Sequence, residues 1–314
     1  MARRPPAPTS PCGIAPPRYG VVLNVGRAHA GEFGGLDQVA RAKGELVEAL
    51  PPDGAAILNA DDPRVLAMSA RTPARVVTFS CTDTSHTPWR PHQSHAPQSS
   101  FMATDIRLDD LGRPSFTLLT PDGSAPVSLR LHGAHNVPNA LAAAALASEL
   151  GLGLGEISGG LSGAVARSRW RMEVRKRADG VTIINDAYNA NPESVRAAID
   201  ALRHLARDGR GFAVLGHMAE LGDSSPASHA EVGEFAANAG LAGLIAVGDE
   251  AAPILTAARG VRSWHGEAIA APDGAGAVAM LVNRLKPGDV VLIKASRAAG
   301  LEGLAAELEL EAAG

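Results

Sequence analysis

Cysteine is almost absent from this chain: Cys12 and Cys81 are the only two in 314 residues. Two thiols cannot build a disulfide framework, so a reducing cytoplasm is the expected location. Lysine is scarce as well, with only Lys43, Lys176, Lys286 and Lys294 among 29 basic residues. Arginine serves equally well as a surface cation, so a retained lysine points to a place where a primary amine is wanted. No apolar run approaches the roughly 20 residues that span a bilayer, which predicts no membrane span. The opening Met1–Ser10 carries charge but no apolar stretch, which predicts no secretory signal. An excess of positive charge is also missing. The formal net charge is -4, which gives no electrostatic footprint for nucleic acid. Finally, no Gly-x-x-Gly-Lys-Ser/Thr loop occurs in the sequence, so the backbone cradle with which such loops hold phosphates is not encoded in these residues.

What is present reads as a globular protein, 46% apolar and 20% charged, long enough for two domains with full cores. Residues 1–18 are Pro-rich and predict a disordered or polyproline-like segment. From residue 19 the pattern alternates. Gly20–Val25 is a β-branched strand, and Leu36, Val39, Ala40, Leu46, Val47 and Leu50 fall near helical spacing. Pro51-Pro52-Asp53-Gly54 stops that helix. Ala55–Asn59 reads as a strand, Asp62–Ala70 as a short helix and Arg75–Ser80 as a third strand, which argues for a parallel α/β sheet. Residues 82–100 are rich in His, Pro, Ser and Gln. His86, His92 and His95 lack the spacing of a metal site, so a solvated insertion is expected. Phe101–Leu131 alternates with turns at Asp110–Gly112 and Pro121–Gly123, as a small antiparallel appendage would.

Asn136–Leu150 is an Ala-rich helix with Asn136 suited to cap it. Gly151–Glu156 follows a helix rather than a strand and reads as a loop, not as a dinucleotide fingerprint. After Ser168 come strands Arg171–Arg177 and Val181–Asp186, then alternating helices and strands at Glu193–Leu205, Phe212–Gly216, His229–Gly240, Leu244–Val247, Gly274–Leu285 and Val290–Lys294. The expected fold class is α/β: a partial parallel-sheet domain over 19–167, then a doubly wound, Rossmann-like domain over 168–314.

Several side chains stand where chemistry collects. His29 follows the carboxyl end of a strand, the side on which ligands bind in open α/β sheets. Lys43, read alone, is a surface cation on an amphipathic helix. Asn139 lies one turn after Asn136, and paired amides suit a heteroaromatic edge because they donate and accept at once. Asp186 ends a strand and could cap the following turn.

Taken in order, the segments Gly20–His29, Ala42-Lys43-Gly44-Glu45, Gly133–Asn139, Arg169–Glu173 with Ile184–Asp186, Val214–Gly222 and Val291–Arg297 resemble the Mur ligase family, which builds the peptide stem of peptidoglycan. The resemblance runs from about Gly13 to Leu304. It implies an ATP-dependent ligase with Mg²⁺, in which His29 is a magnesium ligand and Lys43 is carbamylated to an anionic oxygen ligand. It implies further that Asn136, Asn139, Arg171 and Asp186 contact ATP, the last two across a domain cleft that closes by a hinge near Ser168. The run Ala187–Pro192 looks like the member that adds D-alanyl-D-alanine to a UDP-N-acetylmuramoyl tripeptide. Asn189, Asn191, Lys294 and Ser296 are then expected on the substrate side, and the whole enzyme is expected to be a monomer. His217 departs from the family, which usually has an acidic residue there. The family's phosphate loop and UDP-binding domain are expected upstream of a chain like this one. The sequence therefore also allows a non-catalytic remnant that binds a nucleotide or a partner. A folylpolyglutamate synthetase relative shares the carbamylated-lysine architecture, but the Asn189-Ala190-Asn191-Pro192 run argues against it.

Overall fold

A computed structural model describes residues 11–26, 35–81 and 100–310. His29 and all of the 82–100 insertion except Ser100 lie outside the described residues. Within the Pro-rich start, Pro11–Ile14 form a single helical turn, α1. Two six-stranded sheets follow.

The first sheet runs in simple sequence order: β1 (Tyr19–Val22), β2 (Ala55–Asn59), β3 (Arg75–Ser80), β4 (Phe101–Leu108), β5 (Pro114–Thr120) and β6 (Gly123–Ser128). The pairs β1–β2, β2–β3 and β3–β4 are parallel; β4–β5 and β5–β6 are antiparallel. The expected antiparallel appendage is therefore the far half of the same sheet, because Phe79 and Ser80 pair directly with Phe101 and Met102. β2 is buried on both faces, as an apolar strand between two helix layers should be. Helix α2 (Leu36–Glu48), with α3 (Pro63–Leu66) and the 3₁₀ turn Ala67–Arg71, covers one face around Val47, Leu58 and Met68. Helices α4 (Asn136–Glu149) and α5 (Leu154–Gly163) cover the other around Phe79, Leu118 and Leu141. α5 begins inside the stretch expected to be a loop: the Glu156 carboxylate accepts from the backbone N–H of Gly153 and secures the first turn.

The second sheet has the order β11–β10–β9–β12–β8–β7, in which β7 (Glu173–Lys176) alone is antiparallel. Its parallel strands are β8 (Thr182–Asn185), β9 (Gly211–Leu215), β10 (Gly243–Val247), β11 (Glu267–Ala271) and β12 (Val290–Lys294). Helices α6 (Pro192–Leu205), α7 (Ser225–Asn238) and α8 (Ala252–Gly260) pack on one face, while α9 (Gly274–Val282) and α10 (Leu304–Leu310) pack on the other. The chain thus winds away from β12 on one face and from its neighbours β8 and β9 on the other. The crevices beside the carboxyl end of β12 are topological switch points, the usual ligand position in such sheets. Strand β11 and helices α8 and α10 carry too little periodic signal to be expected from the sequence.

Candidate functional site

The carboxyl ends of both sheets open into one cleft of about 970 Å³. Lys43, Asn136, Asn139, Arg171, Asp186, Asn189, Asn191 and Lys294 all line it. Of the expected site residues only Ser296 is described and absent from the lining.

The wall from the first sheet is built on α2, the β1 carboxyl end and α4. Lys43 projects from α2, and its Nζ donates to the carbonyl of Asn24 at 2.7 Å. Partial burial pushes the Lys43 pKa below the usual lysine value, and the carboxylate of Asp62 opposes that shift. Asp62 caps α3 by accepting from the N–H groups of Arg64 and Val65, and its other oxygen accepts from Val25 N at 2.7 Å. Asn59 donates to Leu23 O at 2.8 Å. The loop after β1 is therefore held by side chains from the end of β2 and the start of α3. Asn136 corrects one expectation: it is the first residue of α4 and not its cap. Its amide instead donates back to His132 O at 2.8 Å, because His135 at the cap position has helical backbone angles. Asn139 lies one turn further into the cleft, and its side-chain amide makes no hydrogen bond among the described residues.

The wall from the second sheet is an interlocked set. Lys294 ends β12 with only 2% of its side chain exposed. Its Nζ donates to Asp186 Oδ2 at 2.5 Å and to Asn189 O at 2.9 Å. Burial lowers the Lys294 pKa; the Asp186 carboxylate raises it, and the Arg171 guanidinium adds to the lowering. The other Asp186 oxygen accepts from Met172 N at 3.0 Å. Trp170 and Met172, on either side of Arg171, both have left-handed backbones, with φ of 59° and 48°. Such angles cost a non-glycine residue about 1–2 kcal/mol each. The kink they make lays the Arg171 guanidinium over the Tyr188 ring at 4.0 Å. Asn191 accepts from Ser194 N at 2.8 Å and so caps α6, with Pro192 in the first turn. Ser296 is buried. Its hydroxyl donates to Ala190 O and accepts from Ala219 N, which ties three loops together behind the cleft.

Sequence reading passed over several of these groups. Asn24 acts through a backbone carbonyl, which carries no side-chain signal. Tyr188 is visible only as the partner of Arg171. His135 sits in the cleft wall, where partial burial pushes its pKa down; Asp186 opposes the shift and Lys294 reinforces it. His217 stands outside the lining. Its ring stacks on that of the fully buried His229 with centroids 5.3 Å apart, and its Nδ1 is 3.6 Å from Glu250 Oε2.

Among the described residues no three His, Cys, Asp or Glu side chains gather as a metal site. None of the described helices is long and apolar enough to cross a membrane. Anionic ligands have Arg171 to meet on one wall, with the paired Lys294 behind it, and Lys43 on the other, and a heteroaromatic ring has the amides of Asn136 and Asn139.

The chain matches the Mur ligase middle domain over residues 9–147 and the Mur ligase glutamate ligase domain over 170–297. It is 44% identical over 309 residues to a UDP-N-acetylmuramoyl-tripeptide–D-alanyl-D-alanine ligase of Mycobacterium tuberculosis, covering 93% of this chain and 58% of the relative. The corresponding ligase of Escherichia coli is 37% identical, with 93% and 60% covered. A crystal structure of MurF from Acinetobacter baumannii superposes with a TM-score of 0.79 at 32% identity, covering 95% of this chain and 60% of that one. MurF from Thermotoga maritima in complex with ADP gives a TM-score of 0.78 at 27% identity, covering 96% and 63%. The chain spans somewhat under two thirds of the length of each of these relatives. Through its middle and glutamate ligase domains, the chain belongs to the Mur ligase family.

Proposed function

We propose that these residues are the nucleotide-binding and C-terminal portion of an ATP-dependent, cytoplasmic ligase that joins D-alanyl-D-alanine to a UDP-N-acetylmuramoyl tripeptide. The observation that carries the reading is the single cleft lined from one sheet by Lys43, Asn136 and Asn139 and from the other by Arg171, Asp186 and Lys294. In the reaction, the terminal carboxylate of the tripeptide takes the γ-phosphoryl group of ATP and ADP leaves. The dipeptide amine then attacks the carbonyl of the acyl phosphate, the C–N bond forms, and inorganic phosphate departs with the bonding pair. The amine loses its proton to solvent.

Each wall has a part in this. Asn136 and Asn139 meet the adenine edge. Arg171, held against Tyr188, balances phosphate charge, and Asp186 orients both Met172 and Lys294 around it. Asn189, Asn191 and Lys294 face the incoming peptide. Ser296 acts from behind by fixing the loop after β12. The two walls close about the 164–169 connection, which lies outside helix and strand and is suited to a hinge.

A divalent cation such as Mg²⁺ prefers hard oxygen ligands, and the free amine of Lys43 offers none. Its position fits after modification. A lowered pKa favours the neutral amine, whose lone pair attacks the carbon of carbon dioxide. One C=O pair moves onto oxygen, and the ammonium proton is lost to solvent. Such a carbamate would offer oxygen ligands on the cleft wall, and His29 would be the further ligand that the family resemblance implies. When bound, the metal supplies charge neutralisation for phosphoryl transfer.

The test has two arms. ADP titrated into this chain should bind, and pentapeptide product should form only when a phosphate-loop portion, such as that of the Mycobacterium tuberculosis relative, is added. Absence of ADP binding would overturn the reading of the cleft. Product from the chain alone would overturn the need for a phosphate loop, and ADP binding with no product in either arm would favour a non-catalytic nucleotide-binding protein.

A further inference from the structure

Nothing in the reading of the cleft uses Arg71, the last residue of the 3₁₀ turn after α3, or explains why a glycine follows Lys43 in the middle of a helix. A glycine inside a helix is about 1 kcal/mol less favourable than alanine, so its presence calls for a reason. The reason is steric. A Cβ built on Gly44 would stand 1.8 Å from Arg71 Nη1, 2.2 Å from its Cζ and 2.6 Å from its Nη2. The guanidinium therefore occupies the space a side chain would take.

It is also held there at three points. Nε donates to Glu48 Oε1 at 2.8 Å, Nη1 to Ala40 O at 3.4 Å and Nη2 to Arg41 O at 3.1 Å. Those carbonyls lie one turn before Gly44 and Glu45, and Glu48 lies one turn after, so the fork spans the turn that carries Lys43. The planar guanidinium is suited to this, since it presents several donors in a fixed geometry. The start of α2 needs such a fastening, because Gly35 at its cap position supplies no side-chain hydrogen bond. The remaining described tie near that end is the exposed pair of Arg64 and Asp37.

We propose that Arg71 is a positioning residue for Lys43: its guanidinium, laid over Gly44, fixes the helical turn that presents the lysine amine to the carbonyl of Asn24 in the cleft. The proposal deepens the reading of Lys43 above and rests on it only where the carbamate is concerned.

The test exploits the scarcity of lysine. With ¹³Cε-labelled lysine the chain gives signals from only four residues, so the chemical shift of Lys43, which reports the surroundings of its amine, is separable from those of Lys176, Lys286 and Lys294. A second readout is the carbamate carbon formed with ¹³C-bicarbonate. In the unmodified chain, with its amine bonded to the carbonyl of Asn24, Lys43 gives a signal apart from that of a solvated lysine side chain. In Arg71→Met the Lys43 signal moves to the position of a solvated lysine side chain, and the carbamate signal falls with it. Gly44→Ala, which displaces the guanidinium while leaving every charge in place, shifts Lys43 in the same direction and serves if Arg71→Met does not fold. Arg71→Lys keeps the charge but cannot reach the three acceptors, and is expected to shift Lys43 as well. An unchanged Lys43 signal in Arg71→Met and Gly44→Ala overturns the proposal, as does full restoration by lysine, which would reduce Arg71 to a charge. A moved Lys43 signal with no carbamate signal in any form upholds the role of Arg71 and instead removes the carbamate reading.

Discussion

The two walls of the cleft each present a lysine, and they hold it in opposite ways. Lys294 is sealed in the second domain against a carboxylate and a carbonyl, and Asp186 is in turn bonded to the backbone beside Arg171. Lys43 stands on an exposed helical face, with one described hydrogen bond, to a carbonyl. One wall has paired its lysine within the protein. The other keeps an amine and an amide, Lys43 and Asn139, with few internal partners. A pre-paired wall is rigid and orients a ligand without being changed by it. A sparsely paired wall is where a group can be modified or can take up a ligand's own polar atoms.

The comparison breaks most severely at Lys294. Lys294→Met leaves Asp186 in the wall without its cation, and removing one member of a buried pair costs about 3 kcal/mol or more. Denaturant unfolding should show that loss, and Lys294→Met with Asp186→Asn should recover part of it. Equal stability of the single and double variants would mean that the pair is not coupled. Arg171→Ala comes next. It removes a charge-assisted contact worth about 1.5–3 kcal/mol, so ADP affinity should fall about tenfold or more in calorimetry while the melting temperature barely moves. A large melting shift with unchanged affinity would make Arg171 structural.

Ser296→Ala sharpens the contrast from the other side. It leaves Ala219 N and Ala190 O without their hydroxyl partner, so it should cost about 1–2 kcal/mol of stability and leave ADP binding unchanged. A binding defect at full stability would return Ser296 to the ligand. The smallest effect concerns pH. The folded-state pKa of Lys43 lies below its unfolded value, so between the two the unfolded chain binds more protons and stability rises with pH. The penalty is present below the folded pKa and gone above the ordinary lysine value. The difference in urea midpoint between the unmodified chain and Lys43→Ala should therefore move in favour of the unmodified chain between neutral pH and about pH 10.4, then level off. No drift would place Lys43 in an unperturbed environment, and the reverse drift would mean that folding favours its charged form.

The sequence carried the parts of this account that depend on side-chain identity at fixed spacing. Lys43 on its helix, Asp186 at a strand end and Lys294 at the end of β12 could be named because strand and helix periodicity located them and the motif order identified them. It could not carry what depends on contact. Asn136 looked like a helix cap until the backbone angles of His135 moved the boundary by one residue. The role of Asn24 lies in its carbonyl. The kink at Trp170 and Met172 requires left-handed angles that neither residue type advertises. β11 and α8 were missed because short, Ala-rich segments have little amphipathic pattern, and packing decides them.

The central claim is that one cleft, walled by both sheets, takes the nucleotide, and titrating ADP while observing the four lysine ¹³Cε signals tests it most directly. The account predicts that Lys43 and Lys294, on opposite walls, shift together along one saturable curve while Lys176 and Lys286 stay still. A response confined to Lys176 or Lys286, or no saturable response at all, would contradict it.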